Sequence, residues 1–179
     1  MQRYVHDGLR FPHRVPLQPC NVTAWVAILA CIWLRPLAVE YSYFLGIAAP
    51  ALAVLTPDSG MQWPIRFYIT HAALISTGCV LVYGRLATVR PGAVWRCYGL
   101  FAVYALLTGI FDWLTGANYA YLRGKPGHFT AYNWLGPWPF YILSAAALAL
   151  ALFWLLWLPV RPVTRRAELG TACAAAVRT

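Results

Sequence analysis

Charge is scarce in this chain, and negative charge scarcest. Only 11% of the 179 residues are charged, and only five are acidic. A soluble domain carries roughly 25% charged residues. With 61% of residues hydrophobic and a mean hydropathy of +0.58, the chain has more apolar surface than one small core can hide. That places it in a lipid bilayer. Lysine is nearly absent: one Lys accompanies 13 Arg, and the net charge is +9. In a soluble protein this surplus would point to nucleic acid. Here the arginines stand between apolar runs, where they act as topology anchors, and a nucleic-acid partner is not expected.

Cysteine pairing is also missing. Cys20, Cys31, Cys79, Cys97 and Cys173 form no CxxC and no metal spacing, so neither a disulfide framework nor a metal or other cofactor is expected. Cys31 and Cys79 fall mid-helix and read as small buried apolar residues. Residues 1–19 contain no apolar core of a signal peptide. No internal repeat divides the chain, and it reads as one domain.

What is present is a series of long apolar runs. A membrane-spanning helix needs about 20 apolar residues, with a range of roughly 17–25. Five segments qualify, at about 19–34, 41–57, 65–84, 94–115 and 138–160. The fold expected is therefore an all-α membrane protein, a bundle of about five transmembrane helices. Residues 1–18 precede the bundle, 19–160 form it, and 161–179 make a basic tail, loose or surface-bound. Prolines bracket the first span, at Pro16, Pro19 and Pro36, because proline is tolerated in a first helical turn and not beyond it. Gly46 and Pro50 predict a kink in the second. The connection 116–136 is rich in aromatics; Tyr119, Tyr121, Phe129, Tyr132, Trp134 and Trp138 resemble an interfacial belt lying across one mouth of the bundle. Basic residues number six on the N-terminal side and eight on the other. That bias favours a cytoplasmic C-terminus, and the preference for Arg over Lys favours a bacterial plasma membrane.

Five spans in alternating directions bring certain polar residues to one leaflet. Cys20 opens the first helix and Asp58 closes the second. Arg66 and His71 lie in the first turns of the third. Asp112 and Asn118 lie at and just past the end of the fourth, with Arg123 beyond. An ionisable residue inside a spanning segment is costly and is read by default as functional. His71 lies roughly 9 Å into its helix, at 1.5 Å per residue. Cys20 sits in the first turn of its helix, where the dipole favours thiolate. Tyr104, Thr108, Asp112 and Thr115 share one face of the fourth helix. Ala72, Ala73, Ser76, Thr77 and Gly78 suit close packing of the third. From position alone, Cys20 fits packing as well as chemistry, His71 fits a hydrogen-bonded structural histidine, and Asp112 fits a partner for Arg66 or Arg123.

Several short motifs recur in a familiar order: Leu17-Gln18-Pro19-Cys20-Asn21-Val22, Leu55-Thr56-Pro57-Asp58, Thr70-His71-Ala72, Asn118-Tyr119 with Lys125-Pro126, and Leu135-Gly136-Pro137-Trp138-Pro139-Phe140-Tyr141. This series resembles the YwaF-like family of bacterial integral membrane proteins over about residues 17–160. That family looks related to a eukaryotic endoplasmic-reticulum transmembrane protein described as a cysteine-dependent acyltransferase of ether phospholipids. The resemblance implies a nucleophilic Cys20 with His71 as its base, no cofactor, and membrane phospholipid and lysophospholipid as partners. Water in place of the lysophospholipid would make the protein a lipid hydrolase. The resemblance also implies one or two further helices before this chain's first. Two positions depart from the family pattern, where Gln18 replaces a histidine and Asp112 an asparagine. Within that mechanism, Arg66 and Arg123 would hold a lipid phosphate, Asn118 or the first amides of the first helix would stabilise an oxyanion, and Asp58 or Asp112 would orient His71. Two other classes of function fit the same residues: a small transporter with a His71/Asp112 polar site, and a membrane interaction protein without enzymatic activity.

Overall fold

A computed structural model describes residues 15–57, 64–127 and 129–176, with side chains described up to Arg161. Among the described residues five α-helices make up the bundle: α1 (Pro19–Trp33), α2 (Pro36–Leu55), α3 (Pro64–Tyr83), α4 (Ala93–Thr115) and α5 (Phe140–Ala176). Two 3₁₀ turns, Tyr119–Tyr121 and Ala131–Leu135, lie between α4 and α5. Four of the helices, with α5 counted from Phe140 to Arg161, are long and apolar enough to cross a membrane, and α1 is a shorter apolar helix. The described residues contain no strand.

Local chemistry sets the helix boundaries. Pro19 and Pro36 stand in the first turns of α1 and α2, where the absent N–H is not needed and the fixed φ suits a helix. Leu34 ends α1 in the left-handed conformation, its N–H bonded to the Ala30 carbonyl. Only Leu34 and Arg35 separate α1 from α2. The second helix therefore begins at Pro36 rather than near 41, and it takes in Glu40. Gly92 and Gly116 flank α4 with φ of 74° and 79°, values that glycine adopts at little cost. At the other end of the chain α5 runs unbroken to Ala176, so the tail, expected to be loose or surface-bound, continues the last helix backbone past Pro159.

Helix α2 is the centre of the bundle and packs on all four others. Of its most apolar stretch 56% is buried, against 11% for that of α5. The core gathers Tyr41, Tyr43 and Phe44 of α2 with Val94 and Cys97 of α4 and Phe153 of α5. The Tyr43 hydroxyl donates to the Leu156 carbonyl at 2.9 Å and shares a hydrogen bond with the Tyr83 hydroxyl. Outward faces carry Trp25, Ile32, Leu106, Leu107 and Leu155, all exposed, which is the surface a bilayer solvates. Cys31 is on that outer surface too, rather than buried.

The contact between α2 and α3 is made backbone to backbone at Gly78. A Cβ placed there would lie 2.9 Å from the Ser42 carbonyl oxygen and 3.3 Å from Tyr43 Cα. Among the small residues of α3, Gly78 is buried, whereas Ala72, Ala73 and Ser76 face outward. Gly78→Val is expected to force α2 and α3 apart and to lower stability by about 1–3 kcal/mol. Thermal unfolding in detergent micelles measures this, with Ala73→Val as the outward-facing control.

The end of the bundle opposite Cys20 holds an ion cluster that hydropathy does not reveal. The Glu40 side chain is fully buried, with Arg90 and Arg96 paired to it at 2.8 and 2.9 Å. Its two oxygens accept from the Arg90 backbone N–H, from Arg90 Nε and Nη2, and from Arg96 Nε and Nη2. The hydrogen bonds it donates to Glu40 hold Arg90 above even the usual guanidinium range. This cluster ties the start of α2 to the α3–α4 connection and the start of α4.

Candidate functional site

The entry to α1 is held from two sides. The Tyr104 hydroxyl of α4 donates to the Leu17 carbonyl, and Gln18 Oε1 accepts the Ala120 N–H at 3.3 Å. Gln18 precedes the first residue of α1 but does not cap it; its side chain reaches the 3₁₀ turn instead. These contacts fix the entry to α1 against α4 and the Tyr119–Tyr121 turn, and with it Cys20, which is half-buried.

His71 lies seven residues beyond the start of α3 and is 6% exposed. Cys20 Sγ and His71 Nε2 are 3.2 Å apart. On the far side of the ring, Nδ1 lies 2.7 Å from the Phe67 carbonyl oxygen. A carbonyl only accepts, so Nδ1 carries the proton. In the neutral ring Nε2 is then an acceptor, and the hydrogen bond is donated by the Cys20 thiol. The Phe67 ring packs on the imidazole with centroids 3.9 Å apart. One backbone carbonyl and one aromatic ring therefore fix both the tautomer and the plane of His71. The orienting group comes from His71's own helix, four residues back, and not from Asp112.

The other polar residues are arranged differently. Asp112 is fully buried, and neither of its carboxylate oxygens has a hydrogen-bond partner among the described residues. It forms no ion pair with Arg66 or Arg123: the ion pairs among the described residues are those of Glu40. Asn118 is occupied within its own loop. Its Nδ2 donates to the Gly124 carbonyl, and its Oδ1 accepts the N–H groups of Arg123 and Gly124. These bonds tie the Asn118 side chain to its loop and leave one of its two amide N–H donors unused. Arg66 and Arg123 are exposed. The Arg123 guanidinium lies over the end of α4, with Nη1 3.7 Å from where a Cβ on Gly116 would sit. Asp58 lies outside the described residues.

The α4–α5 connection closes this end of the bundle with aromatic residues. Tyr132 packs edge-on against Tyr121 and Tyr141. The Tyr141 hydroxyl donates to the Tyr121 carbonyl, Trp138 Nε1 donates to the Leu122 carbonyl at 3.2 Å, and Lys125 Nζ stands 5.5 Å from the Tyr141 ring centre. Burial raises the Tyr119 phenol above its ordinary value and pushes Tyr132 up to about 12, with Tyr121, Tyr141 and Cys20 adding to the effect. Both remain O–H groups at neutral pH.

The family is decided by a match over residues 1–157, which covers the site and almost all of the bundle. The chain belongs to the TMEM164 family. Membership in this transmembrane protein family agrees with the apolar helices, so the protein is a multi-pass membrane protein. No curated protein and no solved structure matches the chain.

Sequence reasoning missed two residues of consequence. Glu40 was set outside the second span because a charge interrupts the apolar run. A lone acid three positions past the Arg35-Pro36-Leu37 start, in a chain with arginines at 85, 90 and 96, is the available signal. Tyr132 was read as one aromatic of a belt. Nothing in its local sequence separates it from Tyr121 or Tyr119.

Proposed function

We propose that this TMEM164-family protein is a membrane-embedded acyltransferase in which Cys20 and His71 move an acyl chain between lipids. One observation carries this: a thiol 3.2 Å from Nε2 of an imidazole whose other nitrogen is tied to a carbonyl at 2.7 Å. A nucleophile within hydrogen-bond reach of a base, the base in turn oriented by a third group, is the arrangement of covalent catalysis.

The steps follow from these atoms. His71 Nε2 takes the Cys20 proton as sulfur adds to the ester carbonyl of a phospholipid. The tetrahedral adduct collapses, the carbon–oxygen ester bond breaks, and the imidazolium protonates the departing lysophospholipid oxygen. A second lysophospholipid hydroxyl then attacks the thioester, giving its proton to His71, and the cysteine leaves. Water in that step would make the outcome hydrolysis. A half-buried site at one end of the bundle suits a lipid entering sideways from one leaflet. Arg66 and Arg123, exposed at the same end, supply guanidiniums for the lipid phosphate. The finer placement belongs with this proposal: a YwaF-like bacterial relative in a plasma membrane, with a cytoplasmic C-terminus.

The test is chemical. Purified protein incubated with a phosphatidylcholine bearing an alkyne-tagged acyl chain is expected to become tagged, the tag being released by hydroxylamine and absent in Cys20→Ala. A wild-type protein that never acquires the tag rules the proposal out. The unpartnered, buried Asp112 favours a second function, a proton or cation site. In that case Asp112→Asn abolishes transport into proteoliposomes and Cys20→Ala leaves it intact.

A further inference from the structure

Helices α4 and α5 touch at one end and part at the other. At the end away from Cys20, the Tyr98 hydroxyl donates to the Ala146 carbonyl at 3.3 Å, the Tyr98 ring meets Phe153, and Trp95 meets Trp154 edge-on. Toward the aromatic mouth a groove of about 320 Å³ opens between them. Ala105, Gly109 and Trp113 of α4, Leu122 of the connection and Ile142 of α5 line it, and all its lining residues are apolar. The sequence explains the gap. Ala105 and Gly109 lie one turn apart and project almost nothing toward α5; a Cβ on Gly109 would come within 3.7 Å of Leu122 Cδ1, an ordinary contact.

The chemistry of the groove selects its occupant. From Ala105 to Trp113 it follows α4 over eight residues, about 12 Å at 1.5 Å per residue, and these residues lie within a membrane-crossing helix. The hydrocarbon of one leaflet is about 15 Å deep. Water would find no polar partner there, and an empty groove would forfeit dispersion contact along its whole lining. An acyl chain of the bilayer supplies that contact. The outer end of the groove is marked by charge. Leu122, which lines it, is followed by Arg123, whose Nη1 lies 3.7 Å from the Cβ position on Gly116. Gly116 is three residues past Trp113, on the same side of the helix end. The Arg123 backbone N–H is held by Asn118 Oδ1 at 2.9 Å. Its side chain is exposed and in no ion pair among the described residues. An apolar groove ending at an unpaired guanidinium matches an acyl chain with an anionic phosphate at its head.

We propose that the α4–α5 groove and Arg123 form a binding site for a single phospholipid of the surrounding leaflet, one acyl chain lying between the helices and the phosphate hydrogen-bonded to the Arg123 guanidinium. The groove turns away from Cys20. Its centre lies about a third of a turn round α4 from the face of Tyr104, Thr108 and Asp112, and it is Tyr104 that reaches the entry to α1. Binding in the groove needs neither Cys20 nor His71, so the site stands without acyl transfer. It assigns Arg123 to this lipid and leaves Arg66 for the phosphate of a lipid at Cys20.

The full chain in detergent micelles, with a trace of phosphatidylcholine carrying a diazirine midway along one acyl chain, is irradiated and the adducts are mapped. They are expected at Ala105, Gly109, Leu122 and Ile142, in preference to the outward Val103, Leu107 and Leu114. Unlabelled phosphatidylcholine is expected to compete about tenfold better than diacylglycerol, which lacks the phosphate, the usual effect of losing a hydrogen bond to a charged group. Inorganic phosphate should not compete. Arg123→Ala is expected to abolish the difference between the two lipids, and Gly109→Leu, which fills the groove, to remove the groove adducts. Alkylation of Cys20 by iodoacetamide at the wild-type rate shows that each variant is folded. Adducts spread evenly over the outward faces identify ordinary boundary lipid and overturn the proposal. So do groove adducts that survive in folded Gly109→Leu, equal competition by the two lipids in the wild type, and a groove closed to lipid by a second copy of the chain. Loss of acylation in Cys20→Ala with groove adducts intact separates this site from the reaction.

Discussion

Replacing His71 by alanine is expected to slow acylation of Cys20 by about 10²–10⁴-fold, the range for loss of a positioned general base. The geometry explains why the effect should be large. Cys20 donates its only proton to Nε2, and among the described residues no carboxylate is hydrogen-bonded to the pair: Asp112 has no hydrogen-bond partner there. Imidazole added to the buffer fits the space the side chain leaves and is expected to restore part of the rate. A purely structural role would not respond to imidazole. Thermal unfolding of the variant separates the two effects, since deleting a buried ring that packs on Phe67 at 3.9 Å also has a stability cost. Equal acylation rates in His71→Ala and wild type would remove His71 from the chemistry.

The second large effect is on stability, at the opposite end. Replacing Arg90 and Arg96 together by alanine leaves Glu40 with no cation, although its side chain has no exposure to water. Stranding one partner of a buried pair costs about 3–5 kcal/mol, and the double variant is expected to fall in that range in unfolding from detergent micelles. Glu40→Gln should cost less. Arg90 and Arg96 side chains are 45% and 38% exposed, so water can solvate them once the carboxylate is gone, and the neutral amide still accepts hydrogen bonds. Each single arginine variant should lie between, because the remaining guanidinium still reaches Glu40. A double variant as stable as Glu40→Gln would mean that the carboxylate is not buried in solution.

Both effects depend on pairings between residues 50 or more positions apart. Cys20 and His71 are 51 residues apart, and Arg90 and Glu40 are 50 apart. The parity of the spans was enough to put Cys20 and His71 in one leaflet, since alternate helix ends must face the same side. It could not make them neighbours, because a leaflet has many lateral positions. What makes them neighbours is the close approach of α1, α2 and α3, through Gly46 against Thr23 and Leu74 and through Gly78 against Ser42. Glu40 shows the reverse failure. Hydropathy treats a carboxylate as a boundary, so the second span was begun after it. In the fold, a two-residue turn starts α2 earlier, and the α3–α4 connection brings arginines over it.

The helices themselves were legible because their causes are local. A run of apolar residues of membrane length, a proline where a helix can begin and a glycine where one can end act over a few positions, whatever the rest of the chain does. The all-α class, the apolar spans and the end at which Cys20 and His71 sit came from the sequence by itself. The partner of each side chain did not. The thiol that faces His71, the arginines that hold Glu40 and the packing of Tyr132 between Tyr121 and Tyr141 were all decided by tertiary packing. Hydrogen bonds act over about 3 Å, and only the assembled bundle sets distances that small between residues so far apart in the chain.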